Sequence, residues 1–185
     1  MLGFPALAVA AAALAACTPG GDLAPLPGAT ASSAYTLGPG DQVHVLTFDE
    51  TQLTGDFRVN DSGDFSFPLI GTVPANGLTT DDISAAIRSR LKAKGLLKDP
   101  NVSVAILAYR PVFVLGEVVK PGEYPFQPGM TALTAVAVAG GFTYRAVEDH
   151  MSVLRSIDGH PTEGRVDRRR ALQPGDVVTI YERVL

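Results

Sequence analysis

Twice in this chain a Pro-Gly-Asp turn runs directly into a short alternating apolar segment: LGPGDQVHV at 37–45 and LQPGDVVTI at 172–180. Proline fixes φ for the bend, glycine takes backbone conformations that other residues resist, and aspartate bonds nearby backbone amides ahead of a strand. Pro39, Gly40 and Asp41 therefore launch one predicted strand, and Pro174, Gly175 and Asp176 another. With 19 Gly and 14 Pro among 185 residues, the chain is punctuated too often for long helices and reads as a fold rich in short strands. The segments flanking the two copies differ, so the repeat is read as convergent turn chemistry and not as a duplicated domain.

Composition excludes several functions. Charged residues make up 18% of the chain and the formal net charge is -4, which gives no electrostatic footprint for nucleic acid. The only basic cluster, RVDRRR at 165–170, is read as a solvated loop. His44, His150 and His160 stand far apart with no cysteine or acidic neighbour at ligand spacing, so no metal is expected. There is no Gly-x-Ser-x-Gly elbow. Gly140-Gly141 follow a helical pattern instead of starting one, the wrong polarity for a phosphate cradle. No catalytic residues and no cofactor are expected, and the protein is read as a non-enzyme.

The amino end, MLGFPALAVAAAALAAC, is apolar from Leu2 to Ala16, the length of a signal-peptide core and short for a membrane span. Its Leu14-Ala15-Ala16-Cys17 resembles the bacterial lipoprotein lipobox. The resemblance implies that residues 1–16 are a signal peptide and that Cys17, the sole cysteine, carries lipid. Buried acyl methylenes contribute about 0.8 kcal/mol each, so several chains on one cysteine anchor firmly. Residues 17–34, rich in Pro, Gly, Ala and Ser, read as a flexible lipidated tether. Thr18, not Asp, follows the cysteine, so the resemblance carries no inner-membrane retention signal. It implies a protein on the periplasmic face of the outer membrane.

Residues 35–108 form a first predicted unit. VHVLTF at 43–48 alternates as a half-buried strand, and DFRVN at 56–60 and FSFPLIG at 65–71 flank Asp61-Ser62-Gly63-Asp64 as a hairpin, with Gly71 closing the second run. Pro68 places that second strand at an edge or bends it. TTDDISAAIRSRLKAKGLL at 79–97 is the clearest helix: Thr79 caps it with Asp82 three residues on, Ile83, Ile87 and Leu91 share one face, and Gly95 ends it. Burying each of those three apolar side chains contributes roughly 1.5–3 kcal/mol. VSVAILA at 102–108 is a further strand.

Residues 109–185 form the second. Val112 to Val118 is a strand, passing Gly116, and Lys120-Pro121-Gly122-Glu123 has Pro and Gly in the order that type II turns favour. Thr131 caps a short helix bearing Leu133, Val136 and Ala137, stopped by Gly140-Gly141. SVLRSI at 152–157, a turn at Asp158-Gly159 and the second Pro-Gly-Asp strand complete a hairpin, a crossing helix and returning strands, which is a β-grasp. The fold class is α+β: a small α+β layer followed by a β-grasp.

The succession LGPGDQVHVLTF, FRVNDSGDFSFPLIGTV, GLTTDDISAAIRSRL and KDPNVSV resembles the polysaccharide biosynthesis/export domain of Wza-type outer-membrane polysaccharide export proteins. VFVLGEVVKPGEYPF followed by MTALTAVAVAGGFT is similar to the soluble-ligand-binding β-grasp (SLBB) domain that follows it in that family. The resemblance implies a homo-oligomeric ring at the outer membrane, conducting a capsular or exopolysaccharide substrate, with force from an inner-membrane copolymerase. Ring contacts are head-to-tail, so each subunit needs two complementary faces. Longer members continue through a second β-grasp into an amphipathic helix that forms the outer-membrane pore. This sequence has one such module and stops at YERVL, so either another protein supplies the outer-membrane pore, for which a separate β-barrel partner is the hypothesis, or the ring works as a periplasmic extension. Two alternatives stand beside this: a monomeric lipid-anchored module that captures a saccharide or small ligand, and a structural envelope lipoprotein. Tyr124 and Phe126, with Tyr35, Tyr109 and Tyr144, are candidates for stacking on sugar rings. The competing reading is that they cover a hydrophobic edge.

Overall fold

The computed structural model describes residues 20–27, 34–157 and 159–183. The first Pro-Gly-Asp turn feeds β1 (Gln42–Thr47), and a turn of 3-10 helix at Thr51–Leu53 leads to β2 (Gly55–Arg58). A separate hairpin, β3 (Asp64–Phe67) and β4 (Gly71–Pro74), precedes α1 (Thr80–Ala93), and β5 (Val102–Ala108) returns to the first sheet. That sheet has the order β2-β1-β5, antiparallel throughout. Alternation turns Val43 and Val45 inward, where they meet Phe65, Phe67, Val73 and the Ile83, Ile87 and Leu91 face of α1 in one hydrophobic core.

The expected pairing of 56–60 with 65–71 is not the one that forms. β2 pairs with β1, and β3 pairs with β4. Between β2 and β3 the chain turns tightly: Asn60 N–H donates to the Asp64 carbonyl at 2.8 Å and Asn60 Nδ2 to Asp64 Oδ1 at 2.6 Å. The 65–71 run is itself split by a reversal, where Leu69 has φ 64° and Ile70 N–H donates to the Pro68 carbonyl at 2.8 Å. Proline has no N–H for a ladder, so the strand ends there. Lys94 Nζ (3.0 Å to the Leu69 carbonyl) and Arg90 Nη1 (to the Thr72 carbonyl) hold this hairpin against α1.

α1 follows its sequence closely. Thr79 and Asp82 form a reciprocal capping box. At the other end Gly95 takes φ 67° and Leu96 N–H reaches back to the Leu91 carbonyl at 3.1 Å, as a glycine-terminated helix does.

The second sheet is built from β6 (Val112–Gly116), β7 (Gly122–Tyr124), β8 (His150–Ile157), β9 (His160–Asp167) and β10 (Val177–Ile180), with α2 (Ala132–Val138) across it. Its order is β7-β6-β10-β8-β9; β10 runs parallel to β6 and antiparallel to β8. The second Pro-Gly-Asp thus launches the central strand of this sheet. A second core gathers Val112, Val114, Val136, Met151, Val153 and Ile180 among others.

Two expectations change here, and α2 gains a defined inward face. Gly122 does not take the positive φ of a type II turn; it is the first residue of β7, opposite Val114. The reversal after β6 begins at Gly116, φ 85°, and the chain is then tied to the end of α2 through Val119 N–H to the Gly141 carbonyl and Lys120 N–H to the Ala139 carbonyl. α2 turns Ala132, Ala135 and Val136 inward and leaves Leu133 43% exposed. Its first turn is fixed by Ala132 and Leu133 N–H bonds to the Arg170 and Arg168 carbonyls, which rotates the small residues onto the sheet. The 165–170 cluster is not all loop: Arg165, Val166 and Asp167 lie in β9, where Gly164 and Val166 are buried.

Candidate functional site

The two Pro-Gly-Asp turns are built alike. Asp41 N–H donates to the Gly38 carbonyl and Asp176 N–H to the Gln173 carbonyl, at 3.2 and 3.1 Å. The carboxylates bond back: Asp41 Oδ2 accepts from Gly38 N–H at 2.8 Å, and Asp176 Oδ2 from Gln173 N–H at 2.7 Å. Both side chains are buried, at 0% and 1% exposure, and each receives an arginine.

Asp176 holds Arg155 of β8 in a two-pronged pair, Nε to Oδ1 at 2.9 Å and Nη2 to Oδ2 at 2.6 Å. Arg155 is itself 5% exposed and also donates to the Ala171 carbonyl. Asp41 holds Arg110, which lies outside both sheets on the connection between β5 and β6. Arg110 backbone N–H donates to Asp41 Oδ1 at 2.7 Å, its Nη1 lies 3.5 Å from Oδ2, and its Nε crosses to the Pro174 carbonyl at 2.9 Å. One side chain therefore joins the two turns.

The passage is narrow. A Cβ on Gly38 would overlap Arg110 Nη1, and one on Gly175, φ 87°, would lie 2.9 Å from Arg110 Nε. Gly175 N–H donates to the Pro111 carbonyl and Phe113 N–H to the Asp176 carbonyl, so the same turn also fixes where β6 begins. Beside the arginine runs an aromatic row. Tyr35 meets Tyr109 edge-on at 5.1 Å, Tyr109 meets Phe126 edge-on at 5.5 Å, and Arg110 Cζ stands 5.9 Å from the Tyr35 ring centre. Tyr35 donates its hydroxyl to Asp41 Oδ2 at 2.6 Å. Burial, and then that bond to a carboxylate, push the Tyr35 hydroxyl well above the ordinary tyrosine range, so it remains a donor.

A cleft of about 580 Å³ opens where the turns approach, lined by Leu37, Pro39, Arg110, Arg155, Pro174 and Asp176 among others. Arg110, Arg155 and Asp176 line it, while Asp41, the buried carboxylate beside Arg110, does not.

The remaining candidate residues are dispersed. Tyr124 donates its hydroxyl to the Lys120 carbonyl at 2.6 Å, and Tyr124 and Phe126 both pack against the second core. Tyr144 is 89% exposed. Gly63 and Gly71 serve the β3–β4 region, Gly116 the end of β6, and Gly140 and Gly141, φ 90° and 91°, the end of α2. Pro121 and Gly122 precede or open β7. Cys17 lies outside the described residues. His44 Nδ1 pairs with Asp56 Oδ1 across β1 and β2 at 2.6 Å, and among the described residues no group of three His, Cys, Asp or Glu side chains gathers as a metal site. No helix among the described residues is long and apolar enough to cross a membrane. Arg110 and Arg155 escaped the sequence reading; the signal for them was two buried-turn aspartates that each needed a cation.

Comparison with known proteins bears on both halves. The family model described as polysaccharide biosynthesis/export protein matches residues 29–107, and the SLBB domain model matches residues 111–166. Over 94 residues the chain is 43% identical to the exopolysaccharide production protein ExoF of Rhizobium meliloti (strain 1021), covering 50% of this chain and 22% of that one. Over 109 residues it is 33% identical to the EPS I polysaccharide export outer membrane protein EpsA of Ralstonia solanacearum, covering 57% and 28%. It is 28% identical over 109 residues to the polysialic acid transport protein KpsD of Escherichia coli, covering 58% and 19%. The chain thus spans about a third or less of the length of these curated relatives. With one export domain followed by one SLBB domain, it belongs to the Wza-type polysaccharide export proteins.

Proposed function

We propose that this protein is a non-enzymatic component of a polysaccharide export conduit, anchored through lipid on Cys17 to the periplasmic face of the outer membrane and assembled as a homo-oligomeric ring. The names of the relatives, which speak of exopolysaccharide production, outer-membrane export and polysialic acid transport, support the substrate class and the location. An inner-membrane copolymerase supplies the polymer on this reading. The two modules span residues 35–108 and 109–185.

The observation that carries the oligomer is an uncovered apolar row on the second sheet. Phe113, Val177 and Leu154 stand side by side across β6, β10 and β8, with Phe113 36% and Leu154 39% exposed. On the first sheet Leu46 and Phe48, exposed by 49% and 65%, stand at the far end of β1, while Leu107, 52% exposed, lies beside its Gln42 end. Isolated exposed apolar side chains need no explanation, but contiguous ones mark interaction surfaces. Two different faces on one subunit are what a closed head-to-tail ring uses.

The test is genetic. A strain lacking the gene should stop releasing polysaccharide, and the unaltered gene should restore release. A gene carrying Phe113→Asp and Leu154→Asp should make folded protein without restoring release. Undiminished polymer in the medium of the deletion strain would remove the export role.

A second reading, a monomeric lipid-anchored saccharide-binding module, is favoured by the junction cleft beside Arg110 and Arg155. Calorimetric titration with the organism's own oligosaccharide decides between them. Saturable binding by a monomer supports the second reading, and no heat supports the conduit.

A further inference from the structure

The stretch read as a free tether is partly tied to the second sheet. Arg165 N–H of β9 donates to the Ala24 carbonyl at 2.9 Å, and Leu26 N–H donates to the Arg165 carbonyl at 3.0 Å, giving a parallel bridge between Pro25 and Arg165. Leu26 is 4% exposed and belongs to the second core. The basic cluster clamps the backbone on either side: Arg165 Nη1 donates to the Gly21 carbonyl at 3.1 Å, and Arg170 Nη2 to the carbonyls of Leu26, at 3.2 Å, and Pro27. Gly20 lies so close to the Tyr181 ring that a Cβ would overlap it. The segment covers the outer edge of β9, and Pro25 and Pro27 offer no N–H to a further strand.

From these contacts we infer that residues 20–27 are a fixed strap that shortens the membrane leash and seats the Tyr181 end of the β-grasp sheet against the bilayer. The inference rests on the proposed lipidation of Cys17. Three peptide links separate Cys17 from Gly20, a reach of about 11 Å, whereas a tether free as far as Ala34 would reach about 60 Å. The difference decides whether the protein drifts beside the membrane or stands on it.

The strap also sets which end faces lipid. Tyr181 follows the last residue of β10, while Asp176, whose turn holds Arg110 and the first module, precedes its first. Five residues of strand place these points roughly 17 Å apart. The anchor and the first module therefore sit at opposite ends of the central strand. Arg168 follows β9 at the anchor end, because Asp167 pairs with His150 while Ser152, two residues further along β8, pairs with Thr179 and bonds the Tyr181 hydroxyl.

The experiment uses the full chain in membranes from cells that express it. Fluorophores are placed through Arg168→Cys, beside the strap, or through Arg88→Cys on α1, and quenched with nitroxide-labelled phospholipid. Quenching at 168 several-fold stronger than at 88 is expected; equal quenching overturns the inference. Gly164→Ala, whose Cβ would lie 2.5 Å from the Leu26 backbone, should expel the strap and erase the difference, and Leu26→Asp should do the same by a different route. Hydrogen exchange of the Arg165 amide, expected to be slow in the unaltered chain and fast in both variants, reads the strap without reference to lipid. Intact mass reads the anchor. An unacylated Cys17 overturns the seating through failure of the anchor, whereas fast exchange at Arg165 in an acylated chain overturns the strap alone.

Discussion

Arg110 gives its backbone N–H to Asp41 Oδ1 at 2.7 Å, from a connection that lies 69 residues further along the chain. Its side chain then crosses to the Pro174 carbonyl, so the contact that completes the first Pro-Gly-Asp turn also fastens that turn to the second. Two small modules joined only by a short connection would ordinarily move against one another. Here a threaded arginine and the Tyr35, Tyr109 and Phe126 row oppose that motion.

The two arginine–aspartate pairs are expected to differ in what breaking them costs. Asp176→Ala leaves Arg155, 5% exposed, without its carboxylate and should destabilise by about 3–5 kcal/mol, the usual cost of stranding a buried charge. Arg110→Ala keeps the backbone N–H, Gly38 and Tyr35 as donors to Asp41 and removes a partly exposed cation, so about 1.5–3 kcal/mol is expected. Urea unfolding measures both, and the Arg110 variant should in addition separate the unfolding of the two modules. A larger loss for Arg110→Ala than for Asp176→Ala would contradict this assignment.

Gly116 and Gly71 make a controlled pair, since both hold positive φ, 85° and 79°. A Cβ at 116 would lie 2.0 Å from the Ile180 carbonyl oxygen, whereas at 71 nothing lies within 4 Å. Gly71→Ala should cost only the backbone term, about 1–2 kcal/mol. Gly116→Ala should cost clearly more, because β6 and β10 must separate to admit it. Thermal unfolding of the two variants checks the order, and equal losses would refute the close approach.

Much of this was legible in the sequence. The helix at 80–93 announced itself through Thr79, Asp82, the Ile83, Ile87 and Leu91 spacing and Gly95, all local signals. The turn aspartates were legible for the same reason. What stayed hidden depends on partners distant in sequence. Pairing of β3 with β4 instead of β2 follows from a reversal at Leu69, a residue with no turn signature of its own. The inward face of α2 went to Ala132 and Ala135 because the 168–170 backbone fixes its first turn, which no helical period records. In the tether, Pro, Gly and Ala composition outweighed the one informative residue, Leu26, an apolar side chain that finds a core.

The cap of α1 carries a pH signature. The side-chain and then the backbone bond from Thr79 hold the Asp82 carboxyl below its ordinary value. A carboxyl lowered on folding contributes stability that is complete above the unfolded value of about 3.9 and is lost as pH falls through the lower folded value. Thr79→Ala should cost about 0.5–2 kcal/mol at neutral pH and flatten the acid limb of the stability profile. Denaturant midpoints measured from neutral to strongly acidic pH check it, and an unchanged acid limb in the variant would assign the sensitivity elsewhere.

The central claim is self-association through the outward apolar faces, and native mass spectrometry of the full chain released from detergent tests it most directly. A closed ring predicts one dominant mass at a whole multiple of the subunit, reduced to the subunit by Phe113→Asp together with Leu154→Asp. A subunit mass for the unaltered chain at every concentration would contradict the account.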